Sequence, residues 1–173
     1  MTLHSKNWPK NNHELTLELF CKVYEEYRDY FEELGQSYSP IAELSKESIS
    51  KVEAAIVSVN FKSKEGVQHY KPGCEAAAAY LYFINKSHFL FNGNKRASLA
   101  ALFGYLGIND KYLKTDWKEI YKLATKIALS DPKDVKKVIN QISRTICASL
   151  IDMEDNSIQR FKISVTNWVK NYS

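Results

Sequence analysis

His88 stands a few residues ahead of Gly93-Asn94-Lys95-Arg96, and that group runs directly into the apolar sequence Ala97-Ser98-Leu99-Ala100-Ala101-Leu102-Phe103. An imidazole accepts a proton near neutral pH. The apolar run reads as a helix, and a helix start carries free backbone N–H groups and about half a positive charge, so it attracts an anion. Gly93 permits a left-handed turn, in which the amides of Gly93, Asn94 and Lys95 can point inward as a nest. Lys95 and Arg96 add full charge. The chemistry these residue types could do together is phosphate binding with a base alongside.

Other elements must hold that group in place. The helix expected over Asn94–Leu106 is almost wholly apolar after Ser98, which requires burial on most sides, and Gly107 ends it. Pro72 and Gly73 open an alanine-rich helix over Cys74–Lys86, with Tyr80, Phe83 and Ile84 toward the core; it delivers His88 just past its end. Asn11 with Glu14 fits a capping box for a long helix carrying Leu15, Leu19, Phe20, Val23, Tyr24, Tyr27, Phe31 and Leu34, with Gly35 as its stop. Its tyrosine stripe reads as core, the alternative being a docking face for a second subunit.

Ser45 can cap a helix with Ile49, Val52, Ile56 and Val59, ending near Ser58. The polar stretch from Asn60 to Tyr70, with Gly66 near its middle, reads as a short hairpin or flap. Asp116 with Glu119 offers a second capping box before Trp117, Ile120, Tyr121, Ala124 and Ile127. Asp131-Pro132 starts a further helix with Val135, Val138, Ile139, Ile142 and Ile146. The tail from Ile158 to Val169 fits either a strand or a helix, and the helical company favours the second.

A chain of 173 residues is expected to form one domain, divided here into an arm and extra helix (1–40), a core (45–150) and a C-terminal extension (151–173). No apolar run approaches the length needed to cross a bilayer, and the first residues do not read as a signal peptide. The net charge of +4 is modest and spread along the chain, which gives no basic stripe for nucleic acid. Cys21, Cys74 and Cys147 are far apart and lack metal-ligand spacing, so reduced, mostly buried thiols in the cytoplasm are expected.

The stretch His88-Phe89-Leu90-Phe91-Asn92-Gly93-Asn94-Lys95-Arg96 resembles the signature of the Fic/Doc (death-on-curing) family, His-Pro-Phe-x-Asp/Glu-Gly-Asn-Gly/Lys-Arg. Its Gly-Asn-Lys-Arg ending is similar to the Doc branch, as is Leu99 where the longer signature has a second arginine. The resemblance is strongest over Tyr70–Asn109. It implies an all-α bundle around a buried central helix, with a hairpin flap beside the cleft that pairs with the target segment by strand addition.

It further implies transfer of AMP or, in the Doc branch, phosphate from ATP to a Ser, Thr or Tyr hydroxyl of a target protein. His88 would be the base, and Gly93, Asn94, Lys95 and Arg96 would hold the phosphates. Asn92 falls where the family has an acid that holds Mg²⁺, and a neutral amide is a weaker partner for that hard cation. The prototype's targets suggest the translation machinery. The family's inhibitory helix signature, Ser/Thr-x-x-x-Glu-Gly/Asn, is missing: Phe61 stands where Ser or Thr would precede Glu65-Gly66. Restraint by an antitoxin in trans is therefore expected. The alternative is a catalytically impaired domain that binds nucleotide or protein without turnover.

Overall fold

Apolar residues at three- and four-residue spacing produce six helices among the described residues of the computed structural model, which are 8–9, 12–33 and 42–153. They are α1 (Leu17–Glu33), α2 (Lys46–Asn60), α3 (Cys74–Lys86), α4 (Asn94–Gly107), α5 (Trp117–Leu129) and α6 (Val135–Ser149). The all-α class expected from the sequence is the one observed. Two short strands, β1 (Lys111–Leu113) and β2 (Leu150–Asp152), pair antiparallel, with Tyr112 opposite Ile151.

At the centre, α3 packs against α2, α4, α5 and α6, while α4 also takes α1 and α5 on its flanks. Ala76 to Ala79 on α3 are all buried, as are Ala97 and Leu99 to Leu102 on α4. Methyl side chains let the two axes approach, so α4 is enclosed almost all round, as its sequence requires. The tyrosine stripe of α1 is core: Tyr24 and Tyr27 are buried, Tyr24 donates to Ala42 O (2.5 Å), and Tyr27 lies against Trp117. Burial pushes both hydroxyls above their ordinary ionisation range, opposed by Arg28 and Arg96 at Tyr24 and by Arg96 at Tyr27.

The helix starts differ in how they are closed. Ser45 caps α2 by accepting from Ser48 N (3.1 Å), as its sequence suggests. The box expected at Asn11 and Glu14 does not open α1. Asn11 lies outside the described residues, the helix begins at Leu17 with Thr16 Oγ1 accepting from Leu19 N (3.2 Å), and Glu14 turns to the flap. At α5, Asp116 occupies the cap position without a side-chain bond to the helix, and Glu119 pairs with Lys122. Asp131 accepts from Lys133 N (2.8 Å) and starts a single 3₁₀ turn before α6. The Gly35 stop and the 158–169 segment fall outside the described residues.

The flap is present as a narrow hairpin. Ser63 N donates to Val67 O and His69 N to Phe61 O, and Gly66 turns the tip at φ +77°. Glu14 anchors it to the chain ahead of α1, accepting from Gln68 Nε2 (2.7 Å) and Lys62 Nζ (2.9 Å). The β1–β2 pair was not anticipated. Three-residue strands carry too little alternation to be seen in sequence, and here a Lys111–Asp152 ion pair and pairing across a long sequence separation define them.

The expectation of reduced thiols is corrected for two of the three cysteines. Cys74 opens α3 and Cys147 lies near the end of α6; the helices pack with these Cα atoms 5.6 Å apart, and the pair forms a disulfide, leaving Cys21 free. A cross-link across 73 residues of sequence removes loop entropy from the unfolded chain worth about 4 kcal/mol. Reduction should lower Tm by on the order of 10 °C. Cys74→Ser should show the lowered Tm with or without reductant, and calorimetric scans in both conditions check this.

Candidate functional site

The α4 N-terminus is left open. Gly93 occupies the cap position in the left-handed conformation (φ +90°, ψ 4°), no side chain caps the helix, and its first turn carries no acid. The first bond of the ladder runs from Ala97 N to Gly93 O (2.9 Å). The N–H groups of Asn94, Lys95 and Arg96 precede it and therefore have no helical carbonyl to reach. Only glycine takes that turn at no steric cost, which is why the sequence has it there.

These groups face a cavity of ≈ 360 Å³ lined by the loop 91–94, His88, Lys95 and Arg96, and closed behind by Asn85, Tyr121 and Ala128. Among the described residues that line it there is no carboxylate. Among the described residues the charge there comes from a helix start, the Lys95 ammonium and the Arg96 guanidinium. Lys95 Nζ stands 5.9 Å from the centre of the Tyr121 ring, so the ammonium is held toward the α5 wall.

His88 follows α3 by two residues, is exposed, and adopts φ +46°. That conformation costs a residue with a Cβ about 1–2 kcal/mol and persists where surrounding packing imposes it. The packing is visible on both sides. Lys86 Nζ ties the end of α3 to Ala128 O (3.2 Å) and Ser130 O (2.7 Å), while Phe89 and Leu90 are buried immediately after the histidine. Phe89 sets its ring edge-on to Phe20 and Tyr24, and its carbonyl accepts from Ser48 Oγ (2.7 Å). The two departures at Phe89 and Leu90 are thus anchoring residues.

The structure brings together all six residues singled out in the sequence: His88, Asn92, Gly93, Asn94, Lys95 and Arg96 line one cavity. Asn94 has a different part from the one expected of its side chain. Its Oδ1 accepts from Leu90 N (2.9 Å) and its Nδ2 donates to Leu90 O (2.6 Å), which staples the loop to the helix start. Its backbone N–H remains available. Asn92 is exposed, and among the described residues no cluster of three His, Cys, Asp or Glu could hold a metal ion.

The sequence places Tyr121 and Ala128 in the scaffold and Phe91 within the His88–Arg96 stretch without a role of its own, and it does not single out Asn85; all four line the cavity. A polar Asn85 within the otherwise apolar end of α3 was the available signal.

Asn94→Ala should release the loop. Losing two backbone bonds should cost about 1–3 kcal/mol in denaturant unfolding. It should also weaken inorganic pyrophosphate binding by roughly tenfold, since the nest must then be ordered on binding. Titration calorimetry of both proteins checks the second effect.

Comparison with curated proteins and with solved structures gave no match. The model of the Fic/DOC family matches residues 13–106. That span is more than half of the chain and takes in α1 to α4, the flap, His88 and the open helix start. By this match the chain belongs to the Fic/DOC family.

Proposed function

We propose that this Fic/DOC chain transfers phosphate, or alternatively AMP, from ATP to a Ser, Thr or Tyr hydroxyl of a target protein. Members of the family transfer part of a nucleotide, which fixes the general chemistry. The observation that carries the finer reading is the uncapped start of α4 facing, with Lys95 and Arg96, a cavity that His88 also lines and whose described residues include no carboxylate. An anion with several oxygens suits that surface, and a hydroxyl entering from outside meets the exposed imidazole.

In the transfer, His88 takes the hydroxyl proton as the oxygen forms its bond to phosphorus. The γ-phosphorus parts from its bridging oxygen and ADP leaves; if the nucleotide lies the other way, the α-phosphorus is attacked and pyrophosphate leaves. Lys95, in place of the glycine of AMP-transferring members, supports the first course. The amides of Asn94 and Lys95 at the start of the buried helix are fixed before substrate arrives, so charge developing on the phosphoryl oxygens meets donors that need no reorganisation.

The family generally works on ATP with Mg²⁺. The described donors here do not fit a firmly held divalent ion: among them the lining offers the neutral amide of Asn92 and no carboxylate. No step is routed through a metal. The same observation favours the second reading, a domain that binds nucleotide or protein without turnover.

Toxin action on the translation machinery in the cytoplasm, restrained by an antitoxin, belongs to the same proposal. It is supported by the lack of the inhibitory signature in the sequence. Glu65, its nearest approach, accepts from Ser63 Oγ (2.7 Å) within the flap's own turn. No helix among the described residues is long and apolar enough to cross a membrane.

Incubation of the protein with host-type lysate and ATP labelled at the γ- or the α-phosphate tests the reading. Label from γ alone is expected. His88→Ala should retain nucleotide binding and lose the 10²–10⁴-fold contribution of a general base, about 3–5 kcal/mol. Asn92→Asp should raise transfer in the presence of Mg²⁺. Undiminished labelling by His88→Ala would remove the base assignment, and silence of both the parent and Asn92→Asp would favour the binding domain.

A further inference from the structure

Asn85 is 1 % exposed, lines the cavity and joins three helices. Its Nδ2 donates to Ser98 Oγ (3.1 Å) on α4 and to Ala124 O (3.1 Å) on α5. Both partners require a donor from it. A carbonyl oxygen can only accept, and Ser98 Oγ commits its own proton to Lys95 O (2.9 Å). The amide therefore has one satisfactory orientation, with Oδ1 turned away from both bonds.

Among the described residues nothing donates to that Oδ1, and Asn85 lines the cavity. That Oδ1 is not one of the fully enclosed side-chain atoms without a partner, so it opens onto the cavity, and a carbonyl oxygen there takes its donor from whatever fills the space. It is also the wrong partner for a phosphate, whose ionised oxygens are themselves acceptors. The lining at the α4 start is the reverse, with N–H groups, an ammonium and a guanidinium, while His88 and Asn92 stand exposed at the loop. The site thus has a donor half at the α4 start and, toward α5, the rigidly held acceptor of Asn85, where Tyr121 and Ala128 supply an aromatic ring and a methyl group.

We propose that Asn85 Oδ1 receives a hydrogen bond from the nucleoside half of the bound nucleotide, and so fixes which way the nucleotide lies. The inference rests on the ATP reading above and deepens it. A nucleotide's donors are its sugar hydroxyls and the exocyclic amine of its base, and none lies on the phosphates. A target hydroxyl is a poorer candidate, because the reading has it meet the exposed His88, whereas Asn85 is buried. With the phosphates on the nest and the nucleoside over Asn85, the chain reads both ends of its ligand.

The test is titration calorimetry of the full chain with inorganic pyrophosphate, ATP, the two deoxy analogues lacking one or the other sugar hydroxyl, and an ATP whose exocyclic amine is dimethylated. One deletion is expected to weaken binding by roughly 5- to 100-fold, the range for leaving a buried acceptor unpaired. The same deletion should change nothing in Asn85→Ala. Loss with a deoxy analogue assigns the sugar, and loss with the dimethylated base assigns the amine. The ligand deletions leave the protein native, so the result stands even if Asn85→Ala folds poorly. ATP that binds with an affinity no deletion alters would overturn the Asn85 assignment while leaving the nucleotide reading in place. Failure of ATP to bind would overturn both.

Discussion

Three peptide N–H groups at the start of α4 have no acceptor in the helix they begin, and the surroundings of the site serve to hold them still. A helix start is a weak anion site if it is free to fray, because binding must then also order it. Here fraying is opposed from below. The body of α4 is buried against α1, α3 and α5, and moving its first turn would open gaps in a close-packed core.

The loop ahead of the helix is fixed with equal care. Asn94 closes a two-bond ring on Leu90, Phe89 and Leu90 are pinned in the aromatic layer under α1, and Lys86 and Asn85 tie the end of α3 to α5. His88, between these anchors, is left exposed in a left-handed conformation that only such a frame would impose. Local strain and open hydrogen-bonding groups sit at the cavity, while the cost is met by packing several ångströms away.

What could be read from the sequence was what local spacing determines. The bounds of α3, the burial of α4, the Ser45 cap and the Gly66 hairpin each follow from a few adjacent residues and their φ preferences or periodicity. What could not be read depends on chain segments meeting in space. Cys74 and Cys147 bond because α3 and α6 pack, β1 finds β2 across the length of two helices, and Glu14 is drawn from a helix cap to the flap. The candidate site shows the same division. His88 to Arg96 could be named from their order, whereas the acceptor at Asn85 is defined by Ser98 and Ala124, on two other helices.

The preformed nest is tested most directly by adding ATP to isotope-labelled protein and following the backbone amides by NMR. The amides of Asn94, Lys95 and Arg96 should move most, while the Asn94 side-chain amide, already bonded to Leu90, stays in place. Saturable shifts centred elsewhere, or an α4 start indifferent to ATP, would contradict the reading of this helix as the phosphate site.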